Sequence, residues 1–304
     1  MAKQELDVMK KHHIRVCGIE DSNYPRLLKH CADAPLVLFY KGILDASDSK
    51  NIAIVGTRKA TEMGKKRVDT LLHELAETGY HPNIISGLAY GIDITAHTAC
   101  MHYGLKAQAV LGHGLHMVYP ASHKSMAEKI LEQGGALISE FPTCAQILPT
   151  NFLQRNRIVA GMSEAILVAE SPIKGGAMST ARQALSYNRD VMAIPGRPED
   201  PTFAGCNLLI KQNIAALVEN IKDLIRILNW PPLPTGPYQM SLDLFPVTNN
   251  EVLLMETLLK RGEQNIDQLH QLTHISVHDL SVLLLKLELE GHVMQLPGNC
   301  YTLI

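Results

Sequence analysis

The sequence predicts an α/β protein, with an extended Rossmann-like, doubly wound parallel sheet and a small C-terminal winged-helix domain. Three observations lead to this fold class. Short apolar runs alternate with amphipathic helical stretches along most of the chain, glycine-rich corners follow the apolar runs, and a proline-rich segment precedes three further helical stretches. Alternating strands and helices with short connections are typical of a parallel sheet that helices cover on both faces.

The composition is that of an ordinary globular protein. The chain of 304 residues has 46% hydrophobic and 19% charged residues and a net charge of −2, which is enough for one large or two modest domains. No apolar run approaches the roughly 18 residues of a membrane span, and the start MAKQELDVMKKHH has no signal-peptide core. The six cysteines are scattered without a C-x-x-C pair. We therefore expect a cytoplasmic protein without a membrane segment, disulfide framework, metal site or cofactor.

The first predicted strand and the helix after it form the most informative local pattern. Residues 51–64 read NIAIVGTRKATEMG, in which Ile52, Ile54 and Val55 predict a strand buried on both faces. Thr61 is a candidate N-cap for the helix that follows. Such a strand-turn-helix corner favours anions, phosphates above all, because free amides and the positive end of the helix dipole meet there.

Charge is distributed unevenly along the chain. Residues 51–70 hold five basic and two acidic side chains, a net charge of +3, whereas residues 247–304 hold three basic and seven acidic ones, a net charge of −4. A polyanionic partner is therefore expected to bind the first half of the chain.

The remaining elements follow in order along the chain. Residues 1–50 are predicted to be a lead-in packed on the sheet domain, with an edge strand over residues 34–40. Residues 51–229 are predicted to be the Rossmann-like domain, which binds the polyanion. Strands are predicted over residues 52–55, 83–86, 107–111, 136–139, 165–169 and 191–194. Helices are predicted near residues 62–78, 94–103, 124–133, 154–162 and 178–187.

The C-terminal part is predicted to be a separate small domain. A Pro-rich linker over residues 230–246 leads to three helical stretches and a hairpin within residues 247–304, which is the winged-helix plan. Asn265 is a candidate N-cap for the second helix, and Ser276 with Asp279 forms a candidate capping box for the third.

Four further segments could carry chemistry. They are SGLAYGID at 86–93 and GHG at 112–114, which follow strands, NFLQRNR at 151–157, which precedes one, and KGGAMST at 174–180, which opens a helix. Each places glycines, a hydroxyl group or a cation where a phosphate could approach the backbone. Since ligands bind at the carboxyl ends of strands in such sheets, the set together favours a long polyanion groove over a single-nucleotide pocket.

Several side chains in these segments have two interpretations. Asp93 and His97 stand one helical turn apart and are better explained as a hydrogen-bonded pair that braces the loop than as a catalytic or metal pair, because no third ligand or nucleophile accompanies them. Phe152 is either a platform for base stacking or a core residue.

Two arginines in the NFLQRNR segment cannot share a helix face. Arg155 and Arg157 are two residues apart, and residues at that spacing point in different directions. We expect one of them to pair with a buried carboxylate such as Glu140 or Glu170 and the other to face the groove, and the sequence leaves open which one does so.

The motifs, in this order, resemble the DNA-processing protein A (DprA, also called Smf) family from Tyr24 to about Leu228. The resemblance rests on VGTRKATEMG, SGLAYGIDITAH, GHGLHMVYPASH, ISEFP, NFLQRNRIVAGMS, KGGAMSTA and IPGRPEDPTFAGCNLLI. The C-terminal domain resembles the winged helix that the family usually carries. We expect no counterpart of the family's N-terminal helical domain of the sterile-alpha-motif type.

The resemblance implies a non-enzymatic protein that binds single-stranded DNA, protects incoming strands and loads a RecA-type recombinase during natural transformation (competence). It also implies a homodimer formed by the late part of the sheet domain. Lys174 stands where members often carry a small or polar residue. The predicted DNA-binding residues are Gly56, Thr57, Arg58, Lys59, Ser86, Gly87, Phe152, Arg155, Lys174, Gly175 and Gly176. The predicted dimer residues are Leu208, Leu209 and Ile210.

Two alternatives belong to other functional classes. A nucleotide-processing enzyme of the lysine-decarboxylase-like (LOG) type uses a Pro-Gly-Gly-x-Gly-Thr loop followed by a catalytic glutamate, but here residues 181–183, after GGAMST, are Ala-Arg-Gln and supply no carboxylate. A regulator that binds duplex DNA through the winged helix needs a basic recognition helix, but the stretch 276–290 offers Lys286 against three acidic residues. The sequence therefore favours a single-strand binder that is not an enzyme.

Overall fold

The computed structural model describes residues 2–44, 50–230, 249–289, 291–296 and 300–303. The chain divides into two compact units, Met1–Leu233 and Pro234–Ile304. None of the helices in the described ranges combines the length and the apolar character that crossing a membrane requires.

The described part of the larger unit is built on a nine-stranded sheet. Its strands are β1 (Arg15–Gly18), β2 (Val37–Gly42), β3 (Asn51–Gly56), β4 (Asn83–Ser86), β5 (Lys106–Val110), β6 (Ala136–Ser139), β7 (Ala165–Glu170), β8 (Asp190–Ala193) and β9 (Ala216–Leu217). They lie in the order β1-β2-β6-β5-β4-β3-β7-β8-β9. All neighbours from β6 to β9 are parallel, and β2 joins β1 and β6 by antiparallel pairing.

The strand order reverses at β3, with β4, β5 and β6 on one side and β7, β8 and β9 on the other. This is the doubly wound arrangement, so the predicted fold class is confirmed. The reversal makes a topological switch point between the carboxyl ends of β3 and β7, the place where such sheets bind ligands.

Helices cover both faces of the sheet. They are α1 (Ala2–Lys11), α2 (Arg26–Lys29), α3 (Glu62–Glu77), α4 (Ile92–Tyr103), α5 (Lys124–Glu132), α6 (Pro149–Gly161), α7 (Gly176–Ser186), α8 (Ala204–Lys211) and α9 (Ile221–Ile227). One core is formed with α3, α4, α5 and α9, and the other with α2, α6, α7 and α8. Along β3, Ile52 and Ile54 enter the first core and Ala53 and Val55 the second, because successive strand side chains point to opposite faces.

The lead-in contributes two strands to the sheet instead of only packing on it. The predicted edge strand over residues 34–40 is β2, and the prediction of an edge position is wrong because β2 pairs with β1 on one side and β6 on the other. The true edge, β1, has the sequence RVCG, which contains no apolar run, so no strand was predicted there.

Trp230, the first residue of the predicted linker, packs into the larger unit. It is 7% exposed, its ring lies 5.0 Å from that of Tyr80, and its Nε1 donates to Glu164 Oε1 at 3.2 Å. The rest of the predicted linker, residues 231–246, lies outside the described residues.

The smaller unit shows the predicted helices and the two paired strands of the predicted hairpin, whose turn at residues 297–299 lies outside the described residues. It comprises α10 (Asn249–Arg261), α11 (Ile266–Thr273), α12 (Val277–Leu289), β10 (Gln264–Asn265), β11 (Val293–Leu296) and β12 (Cys300–Leu303). The strands form a small antiparallel sheet in the order β10-β12-β11. Asn265 caps α11 in a capping box with Gln268, which confirms the predicted cap. Ser276 Oγ accepts from the Asp279 amide at 3.1 Å before α12 and donates to Asp279 Oδ2 at 2.6 Å, so Ser276 is confirmed as a cap.

Candidate nucleic-acid interface

The topology brings most of the predicted DNA-binding residues to one edge of the larger sheet. Gly56 ends β3 and Ser86 ends β4, while Lys174 lies in the connection from β7 to α7. Because β4, β3 and β7 are parallel neighbours, their carboxyl ends meet at the same edge. Phe152 reaches this edge from the first turn of α6.

The Arg58 guanidinium lies over the Phe152 ring at this edge. The Arg58 side chain is exposed, and its Cζ lies 5.4 Å from the centre of the Phe152 ring. The Phe152 ring is half-buried and lies over Gly112, where a Cβ atom would come within 3.0 Å of Phe152 Cδ1. An aromatic ring together with an exposed cation is the combination that contacts a base and its backbone phosphate in single-strand binders.

Tyr119 extends this aromatic surface. Its ring lies 5.8 Å from that of Phe152 and the residue is 48% exposed. The Tyr119 amide donates to His113 Nε2 at 3.1 Å, while His113 Nδ1 donates to the Gly114 carbonyl oxygen at 3.0 Å. Burial lowers the pKa of His113, which keeps the ring neutral, so that Nε2 can accept. Sequence reasoning gave Tyr119 no role, although it closely follows the GHG corner.

The other cations near the first corner differ in how freely they face solvent. Lys65 pairs with Glu62 at 2.7 Å, and Arg67 donates to the Pro195 carbonyl oxygen. Lys59 is exposed and makes no ion pair within the described ranges. Lys174 is likewise exposed, and it precedes Gly175, the N-cap of α7, and Gly176, its first residue.

The structure contradicts a surface role for two of the predicted residues. Ser86 is fully buried and its Oγ donates to the Ile54 carbonyl oxygen at 2.6 Å. Gly87 is buried too, and its amide donates to Asp93 Oδ2 at 3.1 Å. Both residues therefore shape the end of β4 from below the surface.

Arg155 is also buried and does not face the groove. It is 3% exposed, its Nη1 donates to the Val110 carbonyl oxygen at the end of β5, and its guanidinium lies against Gly87. Burial lowers the pKa of Arg155 to about 10, and the nearby Asp93 carboxylate acts in the opposite direction. Arg155 thus connects the ends of β4 and β5.

Arg157 is the arginine that pairs with a buried carboxylate, and its partner is Glu140. It also donates to the Asp33 carbonyl oxygen. The expectation of one such pair is therefore confirmed, whereas the expectation that the other arginine faces the groove is wrong.

Asp93 braces the loop after β4, but not through His97. Its Oδ2 accepts from the amides of Gly87 at 3.1 Å and Ala89 at 3.4 Å. His97 is fully buried, and neither ring nitrogen has a hydrogen-bond partner among the described residues. Burial, with smaller effects of Arg155 and His123, lowers the pKa of His97 to about 3. A neutral, enclosed imidazole offers no acid–base chemistry at this edge.

The predicted dimer segment lies on α8. Leu209 is 1% exposed and belongs to the core of its own chain, which contradicts its place in a subunit contact. Leu208 and Ile210 are half-buried and pack at the margin of that core.

Comparisons with known proteins agree with the fold and with the motifs. The family model described as DNA recombination-mediator protein A matches residues 15–229, and the model of the DprA winged helix domain matches residues 254–299. The Smf protein of Escherichia coli is 36% identical over 295 residues, which cover 95% of this chain and 76% of that one. The DNA processing protein DprA of Streptococcus pneumoniae is 38% identical over 208 residues, which cover 68% of this chain and 72% of that one.

Two solved structures are similar to the larger part of the chain. The X-ray structure of DprA from Streptococcus pneumoniae has a TM-score of 0.65 at 36% identity and covers 70% of this chain and 74% of its own. A structure concerned with the single-stranded DNA binding mode of DNA processing protein A from Helicobacter pylori has a TM-score of 0.62 at 29% identity, with coverage of 72% and 97%. This chain therefore belongs to the DNA recombination-mediator protein A (DprA/Smf) family.

Proposed function

We propose that this protein binds single-stranded DNA along the carboxyl edge of its larger sheet without cutting it. In this role it protects incoming strands and loads a RecA-type recombinase during natural transformation. The observation that carries the proposal is the exposed Arg58 guanidinium over the half-buried ring of Phe152, 5.4 Å from the ring centre. Any base can stack on such a ring, and a cation beside it can contact the backbone, so binding needs no particular sequence.

The relatives support binding of single-stranded DNA. The Helicobacter pylori protein has a single-stranded DNA binding mode, and the family is described as a recombination mediator. Duplex DNA fits the edge less well, because a stacking ring needs a base face that base pairing and stacking leave covered.

A nucleotide-processing enzyme is disfavoured by the state of the carboxylates near this edge. Glu140, one residue after β6, is bound to Arg157, and Glu170, the last residue of β7, is fully buried and bonded to Thr61. Neither offers the free general acid or base that such chemistry requires. We therefore propose that the edge binds its ligand without chemical change.

The winged-helix unit is proposed to contact protein or to regulate, and not to read duplex DNA. The lysine of α12, Lys286, lies 2.7 Å from Glu251. The outward positions Val282 and Leu285 are 57% and 59% exposed and apolar. A helix that reads a major groove needs polar and basic side chains there.

A homodimer through α8 completes the proposal. Leu208 and Ile210 leave part of their apolar surface open to solvent. A two-fold contact at this helix buries that surface twice and gives one DNA strand a second edge to follow.

The test is the anisotropy of a labelled oligo-dT against a duplex of equal length, with nucleoside monophosphates as competitors. We expect oligo-dT to bind much more tightly than duplex and the monophosphates to compete weakly. Preference for duplex, or displacement by low concentrations of one monophosphate, contradicts the proposal. Loading is tested by the rate at which a RecA-type recombinase forms filaments on DNA coated with single-strand-binding protein, with and without this protein.

A further inference from the structure

Glu170 lies at the topological switch point and is fully buried. Its carboxylate contacts the N-cap of α3 at three points. The Thr61 amide donates to Oε1 at 3.1 Å and to Oε2 at 3.0 Å, and Thr61 Oγ1 donates to Oε2 at 3.0 Å. The side chain is thus aimed at the positive end of a 16-residue helix.

The first turn of α3 is shaped around this carboxylate. A Cβ atom at Gly64 would overlap Glu170 Oε2, so only glycine leaves room for the carboxylate there. The Gly64 amide is in turn capped by Thr61 Oγ1 at 3.1 Å. In a Rossmann-like sheet a bound phosphate occupies the N-terminus of the helix that follows the first strand. Here a carboxylate of the chain itself occupies that position.

Glu170 also holds the start of the loop that joins β3 to α3. Its carbonyl oxygen accepts from the Thr57 amide at 2.8 Å. The same residue therefore fixes Thr57 through its backbone and Thr61 through its side chain. The exposed cations Arg58 and Lys59 lie between these two anchors.

We propose that Glu170 is a built-in anion that fills the phosphate position at the start of α3 and thereby positions Arg58 and Lys59 for a nucleic-acid backbone outside it. The first half of this inference concerns the chain alone, and the second half rests on the proposed function. Phosphate groups of a bound strand accordingly contact the two side chains and not the amides of α3. Glu170 acts as a positioning residue and does not touch the strand.

The first experiment tests the built-in anion without DNA. Glu170→Ala removes the carboxylate, and formate supplies it again in the space that the substitution opens. We expect formate to raise the Tm of Glu170→Ala saturably, as for a ligand that binds only the folded state. The wild-type protein should show no such rise over sodium chloride of equal ionic strength.

Glu164→Ala is the matched control, because it removes another largely buried carboxylate, one that precedes β7 and accepts a hydrogen bond from the neutral Trp230 Nε1. An equal gain by Glu164→Ala, or no gain by Glu170→Ala, overturns the inference. If Glu170→Ala does not fold alone, its refolding yield in formate replaces Tm. Recovery specific to formate supports the inference, and no recovery overturns it.

The second experiment tests positioning by a double-mutant cycle on oligo-dT affinity. Glu170→Gln keeps the shape of the side chain and one acceptor but loses the charge. We expect it to weaken binding about tenfold in the wild-type background and by less than about twofold in the Arg58→Ala/Lys59→Ala background, because Glu170 acts through the loop that carries both cations. Equal losses in both backgrounds indicate a merely structural role and overturn the positioning half.

The outcomes of the two experiments are independent. If the wild-type protein does not bind oligo-dT, the proposed function is wrong, and the positioning half falls with it, while the formate result still decides whether Glu170 is a built-in anion.

Discussion

Truncation of Phe152 to alanine probes the aromatic half of the interface. The ring is half-buried and belongs to neither core of the larger unit, so its loss should cost well below the roughly 3–5 kcal/mol of a core Phe→Ala change. As a stacking platform it contributes about 1–3 kcal/mol per base, which corresponds to roughly a 5- to 150-fold rise in the Kd for oligo-dT. Because stacking moves no counterion, the dependence of log Kd on log salt should not change.

The assay is fluorescence anisotropy with labelled oligo-dT over a salt series, repeated with a strand of the same length that lacks bases. On that strand wild-type protein and Phe152→Ala should bind equally, because nothing remains to stack. Phe39→Ala is the matched control: Phe39 lies on β2 and packs against a core, so its loss should lower Tm without weakening binding. Normal binding by Phe152→Ala together with a large fall in Tm would refute the reasoning and place Phe152 in the packing.

The other predictions concern charge, assembly, the second unit and pH. Arg58→Ala should lower the slope of log affinity against log salt by roughly 0.7, one counterion for a single strand, and an unchanged slope in the same titration would contradict a phosphate contact. Ile210→Glu should give a folded monomer in sedimentation, whereas Leu209→Glu should unfold the chain because Leu209 is 1% exposed. A wild-type protein that sediments as a monomer at tens of micromolar would rule out the dimer. Deleting residues 238–304 should change oligo-dT affinity by less than about 1 kcal/mol, and a hundredfold loss in anisotropy would place the DNA surface in the winged helix. Burial lowers the pKa of His97 from 6.5 to about 3, so only the unfolded chain takes up this proton as the pH falls below 6.5, and the free energy of unfolding should drop by up to about 1.4 kcal/mol per pH unit. His97→Leu should flatten that drop in urea titrations, and an unchanged pH profile would show that His97 titrates normally.

The parallel strands could be predicted because their sequences are apolar on both faces. Four-residue runs such as 83–86 and 136–139 agree with β4 and β6 to the residue. Because both faces of these strands are buried, their sequences are apolar runs and do not alternate between polar and apolar residues. The edge strand β1 could not be found in this way, since its exposed residues Arg15 and Val16 and its glycine carry no apolar pattern. Its pairing depends on β2, which lies about twenty residues further along the chain.

The sequence predicts which segments lie at the candidate edge, but not which of their side chains are exposed. Corners that follow neighbouring parallel strands must share an edge, so the placing of Arg58, Lys174 and Phe152 follows from topology. Whether a side chain points out of that edge depends on partners from other strands. Phe152 and Arg155 are three residues apart on one helix face, yet only Phe152 reaches solvent, because Arg155 is drawn down to the Val110 carbonyl oxygen.

Two inner backbone amides of the edge are already bonded to carboxylates of the protein, which favours phosphate contacts through charged side chains. A glycine-rich corner predicts free N–H groups for a phosphate, but Asp93 accepts from the amide of Gly87 and Glu170 accepts from the amide of Thr61. Because the protein's own carboxylates satisfy these inner donors, we expect a DNA strand to contact the exposed cations Arg58, Lys59 and Lys174 instead. At roughly 0.7 per neutralised phosphate, three such contacts give a salt slope of about 2 for one protomer. We expect binding of that kind to weaken with salt and to depend little on sequence, which fits the role in recombinase loading proposed above.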